Sequence, residues 1–202
     1  MQATLVAPEK PRAGEETRAA LLVVLVVAVA LLLGWLLKMS VAGRTTTFNG
    51  LGGAVSLKYP ASWVTGVADE GTPLTVYSPL SAGSFRPTFT VYARTLQKGQ
   101  KLVDVATAWT MGRGAALREF HDLGSEQVTL AGQPAIRVNY AYIADPPSGS
   151  GPATLPAVVQ ASDTVVVQGS QYIIFSAADD ANQDARAPQL DTILASIKLA
   201  GR

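Results

Sequence analysis

The sequence predicts an α+β protein: a membrane-spanning helix near the N-terminus, then a central antiparallel sheet with helices packed on it. Three observations carry this. Residues 19–37 form an uncharged apolar run, period-two alternation recurs between residues 54 and 177, and helical spacing appears at 102–109 and again at 190–197. The chain of 202 residues is long enough, after the apolar run, for one soluble domain with its own core.

Residues 1–18, with Pro8, Pro11, Gly14 and mixed charges, lack apolar periodicity and read as a flexible cytoplasmic tail. The transmembrane helix follows over 19–38. At about 1.5 Å per residue its uncharged run just crosses a hydrocarbon core of about 30 Å. Arg18 and Lys38 bracket it, and Trp35 stands where an amphipathic ring suits the far interface. Ser40, Val41 and Ala42 before Gly43 resemble a small-x-small cleavage site, so a cleaved signal peptide is the competing reading. The apolar run exceeds the usual signal core of about 7 to 15 residues, which favours a retained signal anchor. Lys10, Arg12 and Arg18 precede the helix and Lys38 and Arg44 follow it. A single-pass arrangement with the N-terminus cytoplasmic and the C-terminal domain periplasmic or extracytoplasmic is expected. Residues 39–47 read as a linker, and the domain occupies 48–202.

Within that domain the strand segments are 54–59, 74–77, 87–96, 126–130, 135–143, 164–168 and 171–177. Ile136, Val138, Tyr140 and Tyr142 alternate onto one face. The turns Ala131-Gly132-Gln133-Pro134 and Gln168-Gly169-Ser170 make hairpins the economical reading. Leu102, Val105, Ala106 and Trp109 share one helix face, with Trp109 read as core. Leu190, Ile193, Leu194 and Ile197 share another, with Pro188 opening the helix. The stretch 145–156, rich in Pro, Gly and Ser, reads as a long loop between strands.

Three short segments carry a resemblance: Val55-Ser56-Leu57-Lys58-Tyr59-Pro60-Ala61-Ser62-Trp63, Gly132-Gln133-Pro134-Ala135, and Ile193-Leu194-Ala195-Ser196-Ile197-Lys198. In order and spacing they resemble the PsbP/Mog1-like family over roughly residues 48–200. The resemblance implies an α/β/α sandwich, with an opening strand turning at Tyr-Pro-x-x-Trp, a central hairpin and a closing helix. Relatives act mostly as extrinsic subunits or binding modules, and a fused membrane anchor departs from that pattern. Tyr59, held extended before Pro60, and Trp63, free to fold back on the core edge, have structural roles under this reading.

Composition narrows function further. With 16 Lys plus Arg against 15 Asp plus Glu there is no net field for nucleic acid, and no nucleic-acid partner is expected. The absence of cysteine removes disulfides, thiolate metal sites and cysteine nucleophiles. The single histidine, His121, lies in Phe120-His121-Asp122, and no Gly-x-Ser-x-Gly elbow presents a serine to it. It reads as a solvated or capping side chain. Asp179, Asp180 and Asp184 form the best carboxylate cluster but lack the glycine and terminal glutamate of a calcium loop, so they read as helix-capping residues and a solvated acidic loop before the last helix, with a weak calcium site as the minor alternative. Gly50-Leu51-Gly52-Gly53 precedes a strand rather than following one, against a dinucleotide loop. No catalytic, cofactor-binding or metal residues are therefore assigned, and no cofactor. The expected function is a non-catalytic, single-pass, membrane-anchored accessory subunit of a larger membrane complex of bioenergetic type. Its partners are the lipid bilayer and other subunits of that complex. The alternative is a solitary tethered protein that binds a small ligand or peptide.

Overall fold

No proline interrupts the chain between Pro11 and Pro60, and Glu15, Glu16, Arg18, Ala19 and Ala20 are good helix formers, so helix can extend beyond the apolar run at its N-terminal end. In the computed structural model, which describes residues 13–79, 85–145, 155–181 and 188–200, helix α1 spans Ala13–Ala42. Residues 13–18 and 39–42, read above as tail and linker, are thus helical; residues 1–12 lie outside the described residues. The stretch Ala20–Lys38 has a mean hydropathy of 3.1, and every side chain in it is exposed.

The chain divides after Arg44 into two units. The second begins three residues before Phe48, because the β-branched Thr45, Thr46 and Thr47 favour extended backbone and pair with the next strand. Strand β1 (Thr45–Gly50) runs antiparallel to β2 (Val55–Pro60), joined by a short turn at Leu51–Gly53. After β3 (Val64–Thr65) and β4 (Leu74–Tyr77) come β5 (Thr88–Thr95) and helix α2 (Leu102–Ala116). A long meander follows: β6 (Arg118–Leu130), β7 (Gln133–Ala144), β8 (Ala157–Gln168) and β9 (Gln171–Asp180). Helix α3 (Pro188–Ala195) and β10 (Lys198–Leu199) close the fold.

Among the described residues the main sheet has the antiparallel order β3-β4-β5-β9-β8-β7-β6, and β1-β2-β10 form a second, small sheet. Hydrophobic alternation puts one core on each face of the main sheet. On one side Val55, Leu57 and Trp63 pack with Val91, Phe175, Leu190 and Ile193, so the small sheet and α3 share that layer. On the other, Val105 and Ala106 of α2 pack with Ile136, Val138, Tyr140, Val165 and Ile174. The result is an α+β domain with a central antiparallel sheet.

The three segments that carried the resemblance have visible physical tasks. Trp63 N–H donates to the Pro60 carbonyl at 3.0 Å, closing the turn that folds the indole into the core. Ala131 and Gly132 both have positive φ, 49° and 80°, the pattern of a two-residue hairpin turn between Leu130 and Gln133. Ser196 Oγ accepts from the Lys58 N–H at 2.8 Å and lies 3.1 Å from the Lys58 carbonyl, clasping the end of α3 to β2. Lys198 and Leu199 then pair with Ser56 and Val55.

Candidate functional site

The residues singled out for chemistry scatter. His121 lies on β6, exposed, opposite Ala141, and its imidazole joins none of the side-chain hydrogen bonds or ion pairs of the described residues. Asp179 and Asp180 do not sit in a solvated loop. β9 continues through them by pairing with Gln160 and Val159, and they are buried to 3% and 5% exposure; Asp184 lies outside the described residues. Asp179 Oδ1 accepts from the Asp180 N–H at 2.9 Å, and Asp180 Oδ2 accepts from the Phe85 N–H at 3.4 Å. The glycines after Gly50 build the β1–β2 turn, with positive φ at Leu51, Gly52 and Gly53. The loop assigned to 145–156 lies largely outside the described residues, and no three metal-ligating side chains converge among those described.

What the fold does assemble is a buried polar cluster under α2. Trp109 and Arg113, four residues apart, share a helix face. Beneath them the α2-facing positions of four neighbouring strands present Tyr92 (β5), Ser176 (β9), Asp163 (β8) and Tyr140 (β7). Asp163 is fully buried, and its Oδ2 accepts three hydrogen bonds: from Trp109 Nε1 at 2.5 Å, Arg113 Nε at 3.0 Å and Tyr140 OH at 3.1 Å. Arg113 Nη2 donates to Ser176 Oγ at 3.2 Å. The guanidinium carbon lies 4.8 Å from the Trp109 ring, 5.1 Å from Tyr92 and 6.0 Å from Tyr140, enclosing the cation in aromatic faces.

Electrostatics favour the charged form of Arg113 and the neutral form of Tyr140. Burial works against the Arg113 charge, but the carboxylate of Asp163, with Tyr140 and Tyr92, outweighs it and holds the guanidinium above its ordinary pKa. Burial, then the nearby Asp163 carboxylate, raises the Tyr140 phenol well above the usual range. Burial likewise pushes Tyr142 up to about 12. No group here is a nucleophile poised beside a base. A buried carboxylate that takes three donors on one oxygen, and a guanidinium enclosed by aromatic rings, are suited to fixing α2 on the sheet. The spacing of Trp109 and Arg113 was visible in the sequence, but their partner was not, because an aspartate flanked by Ser162 and Thr164 reads as solvated until strand pairing turns it inward.

Beside the cluster, α2 and the outer strand β6 bound two adjoining open depressions of about 330 and 510 Å³ that share Val103 and Ile136. Ala106, Ile136 and Val138 floor the first, with Thr107, Thr110 and Met111 on the helix side and Asp122 and Ser125 on the strand side. Gln127 and Thr129 flank the second. Val103 is 56% exposed and Met111 71%. A separate hollow of about 440 Å³ is lined by Leu51, Asp69, Glu70, Ala93 and Arg94, whose guanidinium donates to the Gly71 carbonyl.

The domain has the PsbP/Mog1-like fold of several solved structures. Cyanobacterial PsbP (CyanoP) from Synechocystis sp. PCC 6803 aligns with a TM-score of 0.56 at 15% identity, covering 77% of this chain and 92% of that one. LpqN of Mycobacterium tuberculosis, described as involved in cell envelope biogenesis, aligns with a TM-score of 0.51 at 17% identity, over 78% and 91% of the two chains. The Ran-binding protein Mog1p of Saccharomyces cerevisiae gives 0.51 at 10% identity, over 77% and 95%. At these identities the likeness is one of fold. No protein-family model matches the chain, and no curated protein matches its sequence.

Proposed function

We propose that this chain, a PsbP/Mog1-like domain joined to an apolar N-terminal helix, is a non-catalytic accessory subunit anchored in a membrane by a single pass. Its N-terminus is cytoplasmic, and its domain lies on the periplasmic or extracytoplasmic side, covering or steadying an extrinsic face of a larger complex of bioenergetic type. The observation that carries the reading is α1, where a window of mean hydropathy 3.1 with no buried side chain precedes a domain of this fold. Such a helix gains by burial in lipid or among other spanning helices. Support for protein partners comes from the solved structures with the same fold, one of them described as a Ran-binding protein. The polar cluster under α2 fits a scaffold, since its groups fasten a helix and leave no reactive atom exposed.

The alternative, a solitary tethered protein holding a small ligand between sheet and helix, has less support. That space is filled by Trp109, Arg113 and Tyr140 on Asp163, and the depressions beside it are open to solvent. Mild detergent extraction of native membrane, size separation and identification of co-migrating chains distinguish the two. Stable migration with one defined membrane complex is expected; migration of the chain with no other protein would overturn the accessory reading.

A further inference from the structure

Between Glu16 and Asp69 the sequence holds no acidic residue, whereas Arg18, Lys38, Arg44 and Lys58 are all basic. The small sheet extends this bias. Val55, Leu57 and Tyr59 of β2 turn into the core, so Ser56, Lys58 and Pro60 turn outward, with their β1 partners Asn49, Thr47 and Thr45 beside them. Across the other edge of β2, Lys198 of β10 pairs with Ser56 and joins the same outward face. Lys58 and Lys198 are diagonal neighbours there, at the roughly 7–8 Å of such pairs. Both are exposed, and neither meets a carboxylate among the described residues. No acidic residue belongs to β1, β2 or β10; the adjoining helix α3 carries one, Asp191.

We propose that this outward face docks on the phosphate headgroups of anionic lipid in the bilayer that α1 enters, with Lys58 and Lys198 as the phosphate contacts and Arg44, just before β1, adding a third charge. The inference rests on the reading of α1 as a membrane anchor, but not on which side of the membrane the domain occupies. Reach is the first reason for lipid. Six residues, 39–44, separate the apolar window from β1, and even fully extended they span only about 20–22 Å; 39–42 are helical, which shortens the tether further. Charges on β1 and its neighbours are thereby kept near a headgroup layer whose attraction acts over about 8–10 Å. Composition is the second. The face offers ammonium, hydroxyl and amide donors, which suit phosphate oxygens, and no large exposed apolar side chain. The core of a protein interface has the opposite character, rich in aromatic residues and poor in lysine and serine.

The chain has no cysteine, so a label can be placed at one chosen position. Full-length Thr47→Cys, carrying a fluorophore on the outward face, is reconstituted into vesicles of phosphatidylcholine alone or of phosphatidylcholine mixed with phosphatidylglycerol, with spin-labelled phosphatidylcholine as the quencher in both. Stronger quenching is expected in the mixed vesicles. At Lys98→Cys, off this face, quenching should be equal in the two. The excess at Thr47→Cys should vanish in about 1 M salt, where the Debye length is about 3 Å. Lys58→Gln and Lys198→Gln should lower the docking equilibrium about fivefold per lysine, and Lys58→Arg with Lys198→Arg should retain it. Flotation of the vesicles reads the anchor separately. A chain that floats with neither composition would refute the anchor reading, whereas one that floats with both and quenches equally at Thr47→Cys in both overturns the docking alone. Excess quenching that survives both glutamine substitutions, or that appears equally at Lys98→Cys, overturns it as well.

Discussion

Asp163 shows how one side chain can organise a face of the domain. Its fully buried carboxylate holds the indole of Trp109, the guanidinium of Arg113 and the hydroxyl of Tyr140 through a single oxygen, while the Arg113 side chain keeps 18% of its exposure. Removing it strands three donors, one of them charged. Asp163→Ala is therefore expected to cost about 3–5 kcal/mol, the scale on which breaking a buried ion pair is felt. Trp109→Phe, which removes one donor and keeps an aromatic ring over Arg113, should cost nearer 1 kcal/mol. Urea unfolding of the full-length chain in mild detergent, followed by tryptophan fluorescence, measures the first, and circular dichroism the second. Equal losses for the two variants would mean that the indole, not the carboxylate, is the organising group. The phenols beside the cluster give a pH signature. Tyr142 is pushed up to about 12, and Tyr140 is raised in the same direction, each first by burial. An acid whose folded pKa lies above its unfolded value contributes stability that is intact below about pH 10 and is lost as pH rises through the folded value. The domain should accordingly weaken between about pH 10 and 12, and Tyr142→Phe should move the alkaline unfolding midpoint upward; an unchanged midpoint would remove Tyr142 from the account.

At the scale of elements, much of the fold was legible because its signals are local. Residues 74–77 alternate in and out and form β4, and Leu102, Val105 and Ala106 repeat at helical spacing and start α2. The two-residue turn at Ala131-Gly132 was marked by its glycine. What escaped was set by partners distant in the chain. β10 is two residues long and exists because Ser196 clasps Lys58 and places Lys198 on Ser56. The first half of β6 carries bulges and charges that hide its alternation, so its start at Arg118 was not readable. Asp179 and Asp180 looked like loop residues until β8 paired with them. The site was less legible still. Trp109 read correctly as a residue packed under its helix, but its acceptor lies 54 positions away, and nothing in the neighbourhood of Asp163 marks it as an inward position. The local elements also make measurable predictions. Ala131 occupies positive φ without a side chain suited to it, so Ala131→Asn, giving the Asn-Gly pair that such turns favour, should stabilise the hairpin by about 0.4–1 kcal/mol. Ser196→Ala frees the Lys58 N–H and should cost about 0.5–1.5 kcal/mol, read as a shift in urea midpoint at constant slope.

For the whole molecule the decisive property is that an exposed apolar helix and a folded domain belong to one chain. A helix of mean hydropathy 3.1, with every side chain from residue 20 to 38 exposed, is a poor companion for water, and the hydrophobic effect directs it into lipid or into a protease's path as a signal segment. Each fate leaves a different label pattern on the cysteine-free chain. In the proposed topology Lys98→Cys, between β5 and α2, reacts with a membrane-impermeant maleimide in cells whose outer barrier has been opened, whereas Ala3→Cys reacts only after the membrane is permeabilised. If α1 is instead removed as a signal peptide, the mature chain carrying Lys98→Cys labels but leaves the membrane on alkaline carbonate washing, and Ala3→Cys is absent from it. Replacing Leu25 and Val29 with arginine sharpens the test. Two charges at the middle of the helix cost about 5–7 kcal/mol together on insertion scales, enough to lower the membrane-bound fraction if lipid is where α1 resides. Full retention of that variant in the membrane pellet would mean that the chain is held by partner proteins and not by its own helix.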